Sequence, residues 1–154
     1  MAVARSTMLL HKEITQKIID AFFVSYNHLG FGFSEAIYAA ALQHELVKAG
    51  VRVDREVKVY VRYPDGTILG WVRLDMLVEN KIVVETKTLR ALPEETEHQV
   101  FHYLRSTNLE VGLMLNYGPR PKVKRYLCTN DRKHGLDLRE GTIAPFVNES
   151  PEVE

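Results

Sequence analysis

Leu74-Asp75-Met76-Leu77-Val78-Glu79-Asn80-Lys81-Ile82-Val83-Val84-Glu85-Thr86-Lys87 is the stretch that decides how this chain folds. Two apolar runs of strand length flank a polar Glu79-Asn80-Lys81 step. Side chains alternate faces along a strand. Leu74, Met76 and Val78 are therefore expected on one face and Asp75 on the other. In the second run Ile82, Val84 and Thr86 share a face, and Val83, Glu85 and Lys87 share the opposite one. A hairpin that opposes Val78 to Ile82 also opposes Met76 to Val84 and Asp75 to Glu85, so the apolar sets coincide and the carboxylates meet. A two-residue loop would slip the register and set Asp75 against Val84. The pattern predicts a three-residue loop with Asn80 or Lys81 left-handed, Asn80 being the better suited.

Two opposed carboxylates repel by about a few tenths of a kcal/mol or more. A divalent cation removes that repulsion. Mg²⁺ prefers oxygen ligands, commonly one or two carboxylates completed by water and phosphate, and Mn²⁺ is the substitute. Lys87 points to the same side as Glu85, about 6.5 Å along the strand. There it can orient or deprotonate an attacking water, or stabilise charge developing at phosphorus. The alternative is a solvated strand face whose Asp, Glu and Lys form a salt bridge, and the spacing alone does not exclude it.

Upstream, Val51, Val53, Val57, Val59 and Val61 form an odd-numbered β-branched series, and Pro64-Asp65-Gly66 is a turn signal before a strand from Ile68 to Val78. A helix is expected from about Thr7 to His28, on the spacing of Ile14, Ile18 and Phe22. Leu29-Gly30-Phe31-Gly32-Phe33 breaks it. Ser34 is placed to N-cap a second helix through Ala49, which Gly50 stops. On that helix Tyr38, Leu42, Leu46 and Ala49 form one stripe, and Glu35 falls inside it. A carboxylate there is either paired or metal-bound, or open to water at the positive helix end.

Downstream, Lys81 to Thr88 is a strand, and Pro93-Glu94-Glu95 opens a helix to about Ser106. Leu109 to Tyr117 is an apolar strand suited to a buried, central position, and Val123 to Cys128 is the last strand. From Thr129 the pattern weakens, and Asn148 to Glu154 look frayed and acidic. The order is α-α-β-β-β-α-β-β, which implies an α/β fold with a mixed sheet flanked by helices and a parallel crossover into the Leu109 strand. Gln99 and Tyr103 share a helix face, where a long amide can hold a water, a carboxylate or a phosphate oxygen, or simply sit at a boundary. His98 and His102 also lie four apart, but no third zinc ligand accompanies them, which favours surface histidines.

The chain's 154 residues suit one domain, and its 20 Lys plus Arg balance 20 Asp plus Glu. Zero net charge argues against coating nucleic acid by bulk charge. One cysteine, Cys128, rules out an internal disulfide framework and fits a reducing, cytoplasmic setting. No apolar run is long enough for a signal-peptide core or a membrane span, so no membrane partner is expected. The one dense basic run, Arg120, Lys122, Lys124 and Arg125, followed by Arg132 and Lys133, is either a nucleic-acid contact or a charged edge strand that resists aggregation.

Gly32-Phe33-Ser34-Glu35-Ala36-Ile37-Tyr38 resembles the G-x-x-E-x-x-Y signature of the GxxExxY proteins. Arg73-Leu74-Asp75-Met76-Leu77-Val78 and Val83-Val84-Glu85-Thr86-Lys87 resemble that family's R-x-D-x-x-V and V-x-E-x-K segments. Gln99-Val100-Phe101-His102-Tyr103 resembles the Q-x-x-x-Y motif of RecB-like exonucleases. The resemblance runs from about Leu9 to Leu127. It implies a restriction-endonuclease-like core of the PD-(D/E)XK superfamily, with residues 1–128 as the nuclease-like domain and 129–154 as a partly irregular extension. Carried over, Asp75 and Glu85 would be the principal metal ligands with the Thr86 carbonyl as a third. Lys87 would be the catalytic lysine. Glu35 would complete the metal shell or bind a second ion, and Gln99 and Tyr103 would support the lysine, water or phosphate. Leu74 stands where the superfamily has the proline of its name, a backbone feature and not a ligand. The expected function is Mg²⁺-dependent phosphodiester hydrolysis, of DNA before RNA. The competing function is a non-catalytic nucleic-acid-binding or accessory module on the same fold. So small a chain would draw its specificity from a homodimer or a protein partner.

Overall fold

The computed structural model describes residues 10–138 and 143–145. Two helices come first, α1 (Lys12–Leu29) and α2 (Glu35–Lys48). Strands β1 (Val53–Arg62), β2 (Ile68–Val78) and β3 (Ile82–Lys87) follow, then α3 (Glu94–Ser106), β4 (Val111–Asn116) and β5 (Lys122–Leu127). A single 3₁₀ turn at Asn130–Arg132 precedes a short strand, β6 (Ile143–Pro145). The strands form one mixed sheet in the order β5-β4-β3-β2-β1-β6. Among the described strands only β3 and β4 run parallel, joined by the α3 crossover. β6 is the element without a sequence signal; it pairs with the outer edge of β1 through Val57, Lys58 and Val59. The expected start of α1 at Thr7 and the acidic end from Asn148 lie outside the described residues.

Local chemistry sets the boundaries. Ser34 caps α2, its hydroxyl accepting from the Ile37 N–H at 3.4 Å. Gly50 follows the helix at φ 76°, a conformation that costs glycine little. Pro93 is the N-cap of α3, one residue outside the helix rather than in its first turn. β4 is buried along its whole length, as a central strand between two helical layers must be.

Two cores fill the space on either side of the sheet. Ile18 and Phe22 of α1, and Tyr38, Leu42 and Leu46 of α2, pack on Met76, Val78, Ile82, Val84, Leu113 and Leu115. Leu104 of α3 packs on Val57, Val59, Leu74, Leu77 and Val83. Three aromatic rings tie the first core together: Tyr117 stacks on Tyr38 (centroids 4.3 Å, 17°) and meets Phe22 edge-on at 4.6 Å. The Tyr117 hydroxyl reaches Ser25 Oγ at 2.7 Å, so its polar tip is satisfied.

Leu74 departs from the expected alternation. It packs in the α3-side core beside Leu77, not with Met76 and Val78. β1 does the same: Val53 borders the α1/α2 core while Val57 and Val59 enter the other. The switch is a backbone event. Glu56 sits at φ 53° in the middle of β1, and the pairs flanking it are Arg55–Met76 and Val57–Leu74. The register thus sets Glu56 across from Asp75, where both strands change faces. A non-glycine residue at positive φ inside a strand costs on the order of 1–3 kcal/mol, and such strain concentrates at functional sites.

After β4, Gly118 is pressed against the Leu89 backbone. A Cβ there would overlap the Leu89 carbonyl oxygen. Gly118→Ala is expected to destabilise the protein by about 1–3 kcal/mol, through displaced backbone rather than lost contacts. In a thermal melt this lowers the midpoint by roughly 5 °C. An unchanged midpoint would mean that the Leu89 loop yields freely.

Candidate active site

The hairpin between β2 and β3 has the expected register, with Val78 opposite Ile82, Leu77 opposite Val83 and Met76 opposite Val84. Its turn differs in detail. Glu79 and Asn80 are both left-handed (φ 53° and 54°), Lys81 is not, and the Lys81 N–H donates to the Val78 carbonyl. Glu79 tolerates this conformation because its backbone N–H and its carboxylate both bond the Arg52 backbone, at 2.9 and 2.8 Å.

The ladder ends at Met76–Val84, so the expected Asp75–Glu85 pair is not part of it. Asp75 lies just past that end. It lines a cleft of about 160 Å³ with Glu35 and Ala36 of α2, Arg55 and Glu56 of β1, and Thr86 of β3. Arg73 approaches both Glu56 and Asp75 at 3.9 Å, and Arg55 donates to Gln43 of α2 at 3.1 Å. Arg55, Glu56 and Arg73 were assigned no role in the sequence reading. A signal was present for Arg55, which occupies an odd position where the valine series lapses.

Glu85 is 2% exposed, on the α3 side of β3. One carboxylate oxygen meets Lys87 Nζ at 3.3 Å. The other, Oε2, is buried without any hydrogen-bond donor. Asp75 lies within bonding reach of the Glu85 carboxyl group, but two carboxylates can share a bond only when one carries a proton. Burial first, then the Asp75 charge and that shared bond, push the Glu85 carboxyl up to about 8, against the smaller opposing pull of Lys87. Across from them on α3, the Gln99 amide donates to the Tyr103 hydroxyl at 3.1 Å. Burial raises the Tyr103 phenol, helped by the negative charges of Glu85 and Asp75. Asp75, Glu85, Lys87, Gln99 and Tyr103 are thus one neighbourhood.

Glu35 takes a different place from its expected stripe. Tyr38, Leu42 and Leu46 are fully buried, but Ala49 and Glu35 are exposed. Glu35 is the first helical residue of α2, where free N–H groups and water both favour a carboxylate, and it faces the cleft from its open side. His98 and His102 are exposed on α3. The basic run is divided. Lys124 pairs with Glu97 of α3, the Arg125 guanidinium donates to the Leu10 carbonyl at 2.7 Å, and Arg120 and Lys122 are exposed near the β4–β5 turn. Lys133 caps the Thr107 and Leu109 carbonyls.

A model of the PD-(D/E)XK nuclease superfamily matches residues 12–126. The chain belongs to that superfamily. Its mixed sheet flanked by helices is the restriction-endonuclease-like arrangement. No curated protein matches the chain. A solved structure described as "Crystal structure of SSO0001" aligns at 18% identity and a TM-score of 0.43, covering 80% of this chain and 61% of that one. This chain therefore spans less than two thirds of that structure's length. Among the described residues no helix is long and apolar enough to cross a membrane.

PD-(D/E)XK nucleases generally use divalent metals. Among the described residues no three His, Cys, Asp or Glu side chains form a metal cage by themselves. The available set is the two neighbouring carboxylates of Asp75 and Glu85. That set suits a hard ion such as Mg²⁺ better than zinc. Glu85 Oε2 fits the same requirement, because among the described residues it is buried with no hydrogen-bond partner that meets normal geometry.

Proposed function

We propose that this chain is a metal-dependent nuclease, acting on DNA before RNA, and that within the superfamily it is a GxxExxY protein. The observation that carries the reading is the buried Glu85 carboxylate, with one oxygen unpartnered beside Asp75 and the other against Lys87. Ionising so buried a carboxyl is costly, and folds retain such costs where chemistry needs them.

In this reading Asp75 and Glu85 hold Mg²⁺ or Mn²⁺, with the Thr86 carbonyl as a third donor and Glu35 completing the shell from the cleft's open side. The ion, when bound, polarises the phosphate and lowers the pKa of a water ligand. The chain's own groups do the rest. Lys87, held by Glu85 and only 19% exposed along its side chain, keeps its ammonium where a water or the phosphorane charge would lie. Gln99 and Tyr103 border the same neighbourhood and orient that water or a phosphate oxygen. Arg73 restrains Asp75 from the solvent side. Arg120, Lys122, Lys124 and Arg125 remain the proposed backbone contacts, although Lys124 and Arg125 would have to exchange their present partners. Residues 1–128 form the nuclease unit, and 129–154 are an extension that lends β6 to the sheet edge. Specificity would come from a homodimer or a protein partner.

The test is purified protein with Mg²⁺ or Mn²⁺ on labelled single-stranded and duplex DNA and RNA. Metal-dependent cleavage, stopped by chelator, is the expected result. Tight binding of these substrates with no turnover under any condition would instead support a non-catalytic accessory module.

A further inference from the structure

The link between α1 and α2 contains more than a helix break. Phe31 and Phe33 flank Gly32, and each ring is 45% exposed, as is Ile37 one turn into α2. Single exposed apolar residues are ordinary, but a cluster beside a candidate site marks a binding surface. The cluster is mounted, not frayed. The Tyr38 hydroxyl donates to the Gly30 carbonyl and accepts from the Phe33 N–H at 3.2 Å. The Phe33 ring meets Tyr38 edge-on, with centroids 6.1 Å apart at 85°, and Tyr38 in turn stacks on Tyr117.

A cation approaches from another element. The Arg90 guanidinium lies over the Phe31 ring, 5.8 Å from its centroid. Arg90 follows Lys87 by three residues, on a loop fixed by Asn116. The Asn116 side chain accepts from the Leu89 N–H at 2.9 Å and donates to the Leu89 carbonyl at 2.8 Å. Aromatic faces and a guanidinium thus meet at the end of β3 that carries Lys87, next to the residue, Glu35, that opens the cleft.

We propose that Phe31, Phe33 and Arg90 form a stacking platform for unpaired bases, so that the site takes single-stranded nucleic acid or a frayed end in preference to a closed duplex. The claim about turnover rests on the nuclease reading above; the claim about binding does not. Zero net charge leaves little bulk attraction for a duplex backbone. Lys124 and Arg125, the cations expected to grip phosphate, are already engaged by Glu97 and the Leu10 carbonyl. Stacking supplies affinity without net charge. Unpaired bases offer π-faces along the whole strand, whereas a closed duplex offers one only at its ends, and guanidinium groups add to that attraction.

The test measures binding of fluorescein-labelled oligothymidylate, oligouridylate and a blunt DNA duplex to the full chain in chelator, by fluorescence anisotropy. Wild type is expected to bind either single strand more tightly than the duplex. Phe31→Ala and Arg90→Ala should each weaken single-strand binding by about ten-fold and leave duplex binding within about two-fold. Phe31→Trp should restore it. Preference for the duplex, or unchanged single-strand binding by folded Phe31→Ala and Arg90→Ala proteins, overturns the platform. So does self-association that Phe31→Ala abolishes while oligonucleotide binding stays intact, since the rings would then serve a second copy of the chain. Platform and nuclease readings fail separately. Normal binding without metal-dependent cleavage by wild type sinks only the nuclease, and normal cleavage of single strands by Phe31→Ala sinks only the platform.

Discussion

Lys87→Ala should reduce metal-dependent cleavage by at least about 10²–10³-fold while leaving the fold and substrate binding nearly intact. Lys87 ends β3, opposite Asn116 of β4, and contributes no side chain to either core. Among the described residues its ammonium is the one cation within ion-pair range of Glu85. Removing it therefore takes away the group beside the attacking water and leaves the strand unchanged. Lys87→Arg keeps the charge but spreads it over a planar fork, so it should recover only part of the rate. Single-turnover cleavage at saturating protein separates these effects from binding. A Lys87→Ala protein that cleaves at the wild-type rate would remove the lysine from the chemistry. One that loses binding and rate together would make it a phosphate anchor.

Much of this neighbourhood was legible before any coordinates. The register of β2 and β3 follows from matching Met76 and Val78 to Val84 and Ile82, because a one-residue slip would have put every apolar side chain on the wrong face. Gln99 and Tyr103 follow from helix periodicity, and their mutual hydrogen bond is its consequence. What was hidden depends on backbone irregularity, which side-chain patterns do not encode. The left-handed Glu56 switches the faces of β1 and β2, carrying Leu74 into the α3-side core and leaving Asp75 where the β2–β3 ladder ends. No glycine or asparagine announces that position. The apolar stripe on α2 holds at Tyr38, Leu42 and Leu46 but not at Ala49, and of the two places open to Glu35 the water-facing helix start is the one it takes. β6 was missed because three residues pairing to an edge carry too little pattern to stand out.

Glu85→Gln should stabilise the metal-free protein above neutral pH and abolish its response to divalent metal. In the native state the Glu85 carboxyl titrates near 8, against 4.5 as its ordinary value. The folded chain therefore holds that proton more tightly than the unfolded chain, and the stability linked to it is complete below about pH 4.5. It is lost as pH rises toward 8, where folding must bury a negative charge beside that of the half-exposed Asp75. Lys87 offsets part of that charge, and Tyr103, whose phenol stays neutral, offsets none. Glutamine has the same shape and no charge to lose. The gain at pH 8 should be on the order of 2–4 kcal/mol, or roughly 5–10 °C in melting temperature, shrinking to nothing near pH 5. Mg²⁺ or Mn²⁺ should reverse the order at pH 8. Bound metal displaces the proton and stabilises wild type in proportion to its occupancy, whereas the variant has lost the ligand. Two melting series across pH, each with metal and with chelator, measure both effects. Parallel curves for wild type and Glu85→Gln would mean that Glu85 is an ordinary ion-pair partner of Lys87. A variant stabilised at pH 8 in chelator, beside a wild type that no divalent metal stabilises, would keep the buried charge but remove its explanation as a metal ligand.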